Sequence, residues 1–325
     1  MSVELRRNGL HLTGTPLSLD ARRKSPLSFV SHGHSDHIAR HERTIATAAT
    51  LRFMEHRLGT VHAPLPVPFG RPFELGSLTL ELLPAGHILG SAQIRVIRDD
   101  GRRIVYTGDL NVVPSLTAEP VQVAECDTLV IESTFGHPRY VFPPREEVLG
   151  QVESWVRRHQ ERGAVPVLLA YALGKSQEAM KYLSDRGFRL VAHASIYEVT
   201  KLYAEFGVSI EPLRCFDGRV EPGEVLFFPP HQARGGALAP FWPRATAVLT
   251  GWAVDGAGAC RRYGADVAFP LSDHADCPSL VRYVKATGAR DVITLHGFAE
   301  ELAQVLRDEG LDARALGPPK QLALF

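Results

Sequence analysis

Apolar residues recur at every second position through most of the first third of the chain. This period is typical of β-strands that bury one face. It predicts short strands over residues 9–12, 16–20, 27–31, 77–83, 93–98 and 103–107. The Asp100-Gly101 pair between the last two runs suits a tight hairpin turn, so antiparallel sheet is expected. A helix is predicted over 47–57 and a further strand over 128–131.

The pattern changes after a stretch rich in Pro and Gly at 136–144, which we interpret as a linker. Helical periodicity then alternates with short apolar runs. Helices are predicted over 146–162, 176–185 and 197–206, and buried strands over 165–170, 189–192, 224–228 and 247–250. This alternation indicates a parallel, doubly wound sheet. A helix over 278–287 and a strand over 291–295 follow.

The composition is that of a globular protein. The chain has 325 residues, 45% of them hydrophobic and 22% charged, which excludes disorder, collagen and coiled coil. This length suggests about two domains. The 36 basic and 36 acidic residues cancel, so a nucleic-acid partner would have to be held by local basic patches.

Cysteine usage and the N-terminal segment bear on the cellular compartment. The four cysteines are far apart and form no CxxC pair, which argues against a zinc ribbon or a disulfide framework. The first residues lack the apolar core of a signal peptide, and no stretch approaches the ~18 apolar residues of a membrane span. We therefore expect a cytoplasmic protein that has no membrane partner.

The segment HGHSDH at 32–37 carries the clearest chemical signal. It places three histidines and one aspartate within six residues, directly after an apolar run. Imidazoles and carboxylates are the ligands that zinc prefers, and a loop that leaves a buried strand can turn several side chains toward one point. The spacing offers His32 and His34 to one ion, and Asp36 and His37 to a neighbouring ion.

Four further candidates each follow a predicted strand: Asp20, His87, Asp109 and His296. Taken alone, an Asp after a Gly commonly caps a helix, and a lone His is commonly only hydrogen-bonded. Two ions, however, need more ligands than HGHSDH supplies, which favours His87, Asp109 and His296 as ligands. Asp20 is better explained as a partner that orients a ligand.

Two weaker features concern substrate phosphates. Gly174-Lys175-Ser176 resembles the end of a phosphate-binding P-loop, but Leu169 replaces the glycine required five positions earlier. The tripeptide still opens a predicted helix, where backbone N–H groups bind anions, so phosphate binding and simple helix capping both stay open. Arginine pairs at 22–23, 102–103, 157–158 and 261–262 are expected to be mostly solvated surface charge.

The order of the candidate ligands resembles the signature motifs of the metallo-β-lactamase superfamily. HGHSDH, the Gly-His pair that ends at His87 and the Thr-Gly-Asp that ends at Asp109 match successive motifs. Asp20 stands in the place of the first motif. Three later residues resemble the additional motifs of the β-CASP nucleases, which process RNA or DNA: Glu132 in IESTFG, His274 in SDHAD and His296 in LHG.

Within the β-CASP group, the segment YALGKSQ at 171–177 and the stretch STFGHPRY at 133–140 are most similar to the bacterial ligase-associated DNA exonucleases. The resemblance implies an αββα sandwich built from residues 1–138 and 271–325. It also implies a doubly wound β-CASP domain inserted at 139–270. The family name alone implies a DNA ligase and a helicase as functional partners.

The resemblance also implies two divalent metal ions, Zn²⁺ or alternatively Mn²⁺, since both suit histidine and carboxylate ligands. His32, His34 and His87 would bind one ion, Asp36, His37 and His296 the other, and Asp109 would bridge them. His274 would act as the general acid and Glu132 would orient it. Both belong to motifs that the nucleases add, which favours phosphodiester over thioester or lactam hydrolysis.

These features predict a dinuclear-metal phosphodiesterase, most similar to a DNA exonuclease of DNA repair. An endoribonuclease of the same fold is the first alternative, because His296 at the last motif is similar to that of RNA-processing members. A catalytically inactive scaffold should have lost ligands, and none of the seven is missing. A small-molecule hydrolase of glyoxalase type is disfavoured by the inserted domain and by Glu132 with His274.

Overall fold

Two compact units make up the chain, of which the computed structural model describes residues 3–233, 236–255 and 257–317. The first unit comprises the chain up to Pro114, Glu119–Val141 and the chain from His274 onwards. The second comprises Ser115–Ala118 and Phe142–Asp273. The bounds of 139 and 270 for an inserted domain stay a prediction, and the second unit also takes up a short segment that precedes it.

The first unit contains two sheets. The first has six strands in the order β1 (Val3–Arg6), β2 (Gly9–Leu12), β3 (Leu17–Leu19), β4 (Leu27–Phe29), β5 (Thr44–Ala46) and β6 (Pro64–Pro66). The second has seven strands, in chain order β7 (Phe73–Leu75), β8 (Leu78–Pro84), β9 (Ala92–Ile97), β10 (Arg103–Tyr106), β11 (Thr128–Glu132), β18 (Asp291–Leu295) and β19 (Asp312–Ala315). Its spatial order is β19-β18-β11-β10-β9-β8-β7.

Strand direction agrees only in part with the expectation of antiparallel sheet. The hairpins β1-β2-β3 and β7-β8-β9-β10 are antiparallel, as predicted. The strands β3 to β6 pair in parallel, and so do β10, β11, β18 and β19. The expectation was wrong for β3 to β6 because each connection there, even the short one at 20–26 between β3 and β4, returns the chain to the same end of the sheet.

The two sheets pack face to face in four layers with helices outside. An apolar core that includes Phe29, Ile45, Leu80, Ile94 and Ile293 lies between them. Helix α1 (Ala48–Leu58) packs outside the first sheet, and α6 (Cys277–Thr287) and α7 (Ala299–Asp308) pack outside the second. The predicted αββα sandwich is thereby confirmed.

Two helix caps fix segments that carry candidate site residues. The Thr47 hydroxyl caps α1 by accepting the N–H of Thr50, and it also donates to the carbonyl of Gly90, in the loop after His87. Asp276 caps α6 by accepting the N–H of Ser279 at 2.9 Å. Since His274 lies two residues before this cap, the start of α6 restrains it.

The second unit is a six-stranded, wholly parallel sheet. Its strands in chain order are β12 (Val165–Leu169), β13 (Arg189–Ala192), β14 (Leu213–Cys215), β15 (Glu224–Phe228), β16 (Arg244–Leu249) and β17 (Val267–Phe269). Their spatial order is β14-β13-β15-β12-β16-β17. The helices are α2 (Arg145–Glu161), α3 (Lys175–Ser184), α4 (Ala194–Glu205), a 3₁₀ helix (Gly251–Asp255) and α5 (Ala257–Tyr263).

Apolar side chains cover both faces of this sheet. Alternate residues of β12 belong to different clusters, with Leu168 on one face and Val167 and Leu169 on the other. This confirms the predicted doubly wound sheet. In neither unit do the described helices include one that combines the length and apolarity needed to cross a bilayer.

Candidate metal centre and its surroundings

The HGHSDH loop leaves the end of β4 and turns its histidines toward one region. His32 and His37 are almost fully buried, and His34 is partly buried. Gly33 allows the loop to pass close to α1, since a Cβ there would lie 2.7 Å from the Cβ of Phe53. The glycine is therefore required for packing, and it lets the flanking histidines stay on the same side.

Two other loops of the first unit deliver His87 and Asp109. Each follows a glycine with positive φ, 76° for Gly86 and 56° for Gly108. A Cβ on Gly86 would lie 2.1 Å from the carbonyl oxygen of Asn111, and one on Gly108 would lie 2.4 Å from the Cβ of Ser31. Only glycine fits such close approaches, so the tight turns bring His87 and Asp109 against the HGHSDH loop.

Four predicted ligands form one cluster. Nδ1 of His34 lies 3.1 Å from Nε2 of His32 and 3.1 Å from Nε2 of His87. Oδ2 of Asp109 lies 3.4 Å from Nε2 of His32 and 3.7 Å from Nε2 of His87. One donor atom from each of the four residues thus lies within 4.8 Å of the others. Converging imidazole nitrogens and a carboxylate oxygen form a donor set that fits a divalent cation.

The other predicted ligands lie around His37. Its Nε2 is 3.5 Å from Oδ2 of Asp109 and 3.7 Å from Oδ2 of Asp36. The Asp36 side chain is 65% exposed, so it lies at the rim. The His296 ring centroid lies 5.9 Å from that of His37, and this residue is also exposed. Asp36 and His296 are therefore close to the cluster without being as tightly packed as the others.

Asp20 is the hub of a buried hydrogen-bond network behind the histidines. Its carboxylate accepts the N–H of Ser31 at 2.6 Å, the Ser31 hydroxyl at 2.6 Å and the Tyr106 hydroxyl at 2.7 Å. It also accepts Nδ1–H of His37 at 2.8 Å. Asp20 itself has a positive φ of 47°, a strained conformation for a residue that is not glycine. The strain is offset by these bonds, which turn Nε2 of His37 toward Asp109.

The same network orients His32. The Ser31 hydroxyl donates to Asp20, so it is left to accept Nδ1–H of His32, which lies 2.9 Å away. The lone pair of Nε2 then points into the cluster. Ser31 and Tyr106 were not predicted from the sequence, although Ser31 directly precedes His32 and Tyr106 precedes Asp109 by three residues. Their positions close to predicted ligands were the only signal in the local sequence that could have identified these two residues.

Burial and charge shift the pKa values in the cluster. Burial lowers the pKa of His37, but the carboxylates of Asp109 and Asp20 outweigh it and raise that pKa to about 10. Burial raises the pKa of Asp109 to about 6, against the pull of His37. Burial and the neighbouring His37 lower the pKa of His32 well below its usual range. His32 is therefore neutral, which is the form that binds a metal ion.

His274 and Glu132 form a second pair beside Asp109. Nδ1 of His274 lies 2.9 Å from Oε1 of Glu132, and Nε2 lies 4.0 Å from Oδ2 of Asp109. Glu132 is wholly buried at the end of β11 and also accepts the N–H groups of Leu110 and Thr134. Burial alone would raise the pKa of Glu132, but His274 and these bonds lower it, so Glu132 is ionised.

The Gly174-Lys175-Ser176 segment uses its polar groups within the second unit. The N–H of Gly174 donates to the side chain of Gln177, and the hydroxyl of Ser176 donates to the carbonyl of Tyr171. Lys175 is buried and forms an ion pair with Asp273. Phosphate binding at this helix start stays a prediction, and the capping alternative describes the observed bonds.

Known proteins resemble this chain in sequence. Residues 5–171 match the family described as a beta-lactamase superfamily domain. The chain is 39% identical over 98% of its length to the "Probable DNA ligase" of Opitutus terrae, of which it covers 31%. It is 28% identical over 66% of its length to the "RNase J-like protein" of Methanocaldococcus jannaschii, of which it covers 62%. It is 30% identical over 60% of its length to "5' exonuclease Apollo" of Gallus gallus, of which it covers 45%.

The chain thus spans less than two thirds of the length of each of these relatives. Among solved structures, it superimposes on a protein of unknown function from Enterococcus faecalis with a TM-score of 0.60. That likeness covers 90% of this chain and 79% of the other at 13% identity, and it shows the fold alone. The family match and the relatives together show that the chain belongs to the metallo-β-lactamase superfamily, in its β-CASP group.

Proposed function

We propose that this chain is a metal-dependent nuclease, and more narrowly a DNA exonuclease that acts in DNA repair. The observation that carries the proposal is the His274–Glu132 pair beside Asp109. Hydrolysis of a phosphodiester expels an alkoxide, which needs a proton, and this pair supports a general acid next to the cluster. The relatives named "Probable DNA ligase" and "5' exonuclease Apollo" support DNA as the substrate.

The donor set supports binding of two divalent ions, Zn²⁺ or Mn²⁺. His32, His34 and His87 would hold one ion, His37 with Asp36 and His296 would hold the other, and Asp109 would lie between them. Distances within the cluster support the first set. The resemblance supports Asp36 and His296, which lie at its rim. When bound, such ions supply Lewis-acid polarisation of the phosphodiester and an activated water at neutral pH.

The residues of the chain would supply the proton for the leaving group and orient the metal ligands. Glu132 accepts Nδ1–H of His274 and stabilises the imidazolium, as a buried carboxylate does for a catalytic histidine. The proton on Nε2, which is turned toward Asp109, would pass to the leaving oxygen. Asp20 would keep His37, and through Ser31 also His32, in the tautomers that present Nε2 to the ions.

RNA is the second candidate substrate, and a specific observation favours it. Two relatives are named "RNase J-like protein" and "RNase aCSPSF2". In addition, His296 lies beside His37, at the motif position that we associate with RNA-processing members. The experiment below therefore compares both nucleic acids.

A DNA ligase is the proposed functional partner. The 39% identical relative carries that name and is about three times as long as this chain, and a relative from Acidianus ambivalens is named "Uncharacterized protein in lig 3'region". The helicase partner rests on the motif resemblance only. Co-purification of the tagged chain with the ligase and helicase of the same cell would test both partners.

Digestion of matched labelled strands tests the activity. We expect the protein loaded with Zn²⁺ or Mn²⁺ to release nucleotides from linear DNA with free ends, and to leave end-blocked and circular DNA intact. Preferential hydrolysis of the RNA strand would assign the alternative substrate, and cleavage of circular DNA would show an endonuclease. Absence of hydrolysis with either ion would reject the nuclease.

A further inference from the structure

The first turn of α3 in the second unit consists of four polar residues that are all buried. They are Lys175, Ser176, Gln177 and Glu178, and none of them is more than 6% exposed. Burial of a polar or charged side chain costs free energy unless the side chain finds a hydrogen-bond or charge partner. The partners of these residues therefore show which parts of the second unit the turn holds in place.

Lys175 occupies an unfavourable position for a cation. It is the first residue of α3, where the helix macrodipole is positive. Its ammonium forms an ion pair with the carboxylate of Asp273, which is also buried. This pair compensates both for the macrodipole and for the hydration that the ammonium loses. Without the Lys175 ammonium, the buried carboxylate would lose this cation, and Asp273 would be drawn toward other partners or solvent.

The same turn of α3 also supports the residue that precedes Asp273. The guanidinium of Arg145 donates to the carbonyl of Ser272 at 3.0 Å. Arg145 is itself paired with Glu178 of this turn, with an N–O distance of 3.1 Å. Leu271, one residue earlier, is buried in the apolar core of the second unit. Three consecutive residues, 271–273, are therefore fixed within this unit.

The next residue in the chain is His274, the proposed general acid. Consecutive Cα atoms are joined at a fixed distance of about 3.8 Å, so a displacement of Asp273 also displaces the backbone of His274. On the other side of His274, the N–H of Ala275 donates to the carbonyl of Leu110 at 2.8 Å, and α6 begins soon after. The backbone of His274 is thus restrained on both sides, and the restraint on the N-terminal side depends on α3.

We propose that Lys175 is a positioning residue for proton transfer, and that it acts on His274 through the ion pair with Asp273. This inference rests on the proposed nuclease function and identifies a residue that His274 needs in order to reach the leaving oxygen. Lys175 takes no part in the transfer itself, in which the proton on Nε2 of His274 passes to that oxygen. Misplacement of a reacting group by about 1 Å can lower a rate about 10²-fold, so a remote ion pair can have a large effect.

Steady-state hydrolysis of two substrates tests the positioning role. One substrate is a short DNA strand, and the other is a p-nitrophenyl phosphodiester of thymidine, whose leaving group departs without a proton. We expect Lys175→Met to lower kcat on DNA by roughly 10- to 10²-fold and to leave KM unchanged. The rate on the p-nitrophenyl diester should stay near that of the wild type. A purely structural defect would instead lower both rates by the same factor.

Lys181→Met is the matched control, because Lys181 also lies on α3 and pairs with Asp185, at the C-terminal end of the helix. This variant should keep both rates. Lys175→Arg retains a cation for Asp273 and should restore most of the rate on DNA. Thermal melting verifies that each variant is folded. If Lys175→Met does not fold, the double variant Lys175→Met/Asp273→Asn removes both buried charges and should show the same loss on DNA alone.

Three kinetic results for Lys175→Met would overturn the proposal: wild-type rates, an equal loss on both substrates, or a higher KM on DNA with an unchanged kcat. Hydrogen exchange of the amides at 272–276 in the metal-free protein separates the proposal from the nuclease function, since it needs no activity. We expect faster exchange in Lys175→Met than in Lys181→Met. This difference in a protein that hydrolyses neither substrate would keep the positioning of His274 and reject the nuclease. Equal exchange in the two variants of a protein that hydrolyses DNA would do the reverse.

Discussion

Nδ1 of His274 lies 2.9 Å from Oε1 of Glu132, although 142 positions separate the two residues along the chain. Glu132 is fixed at the end of β11 by the N–H groups of Leu110 and Thr134. The histidine is fixed by its place just before the cap of α6. The orientation of the His274 ring is therefore fixed both by Glu132 and by the start of α6, and Nε2 is turned toward Asp109.

Replacing His274 by Ala should slow hydrolysis of DNA by roughly 10²- to 10⁴-fold, the usual size of acid-base assistance. Metal content should stay unchanged, because donor atoms of His32, His34, His87 and Asp109 come together without a contribution from His274. Turnover and bound metal are measured on the same preparation. A substrate whose leaving group needs no proton should lose much less rate, and an unaltered rate on ordinary DNA would exclude His274 as the acid.

Replacing Asp109 by Ala should remove bound metal and abolish turnover. Its Oδ2 lies within 3.7 Å of Nε2 of His32, His37 and His87, so it contributes to both halves of the cluster. Elemental analysis after dialysis measures the metal. Asp99→Ala, in the exposed hairpin turn, is the matched control and should keep metal and rate. Full activity with two bound ions in Asp109→Ala would refute the assignment.

Replacing Tyr106 by Phe should weaken metal binding up to about tenfold, at the lower end of what partners of metal ligands contribute. The change removes one donor to Asp20 and keeps the ring that packs edge-on against Phe29. Competition with a chromophoric chelator measures the affinity. Tyr283→Phe removes another buried hydroxyl, one that bonds to Gln93 away from the cluster, and should leave metal affinity unchanged. Equal metal affinities in the two variants would show that Tyr106 contributes packing only and that its hydroxyl does not support metal binding.

The metal-free protein should lose stability as the pH rises from 6.5 toward about 10. The pKa of His37 is about 10 in the fold against 6.5 when unperturbed, so the stabilisation is complete below 6.5 and is lost as the ring deprotonates. Melting temperatures of chelator-treated protein across this range measure the effect, which should amount to several degrees. His37→Gln should flatten the dependence, and a wild-type profile that is already flat would contradict the role of Asp109 and Asp20.

Local sequence was sufficient to predict the helices and strands and most residues of the histidine and aspartate cluster. Helix α1 lies at Ala48–Leu58 against a predicted 47–57, because its apolar period and cap are both short-range signals. His32, His34, His87 and Asp109 were predicted as ligands and do come together. The parallel pairing of β3 to β6 was missed, since strand direction depends on where a connection returns and not on the strand itself.

The residues that hold the histidines in place could not be predicted from local sequence in the same way. Tyr106 reaches Asp20 across 86 positions, and nothing in a buried strand tyrosine indicates what its hydroxyl will meet. Likewise, local sequence did not show that the polar groups of Gly174-Lys175-Ser176 would bond to Gln177, Asp273 and the Tyr171 carbonyl, and phosphate binding there stays a prediction.

The sequence by itself determined the chemistry available to this protein, because residue type and close spacing already specify imidazole and carboxylate donors after buried strands. Only the tertiary structure decided which ring nitrogen faces the cluster and which histidine receives a carboxylate partner. Those choices depend on hydrogen bonds between segments far apart in the chain, and the directions of such bonds follow from how the two sheets pack.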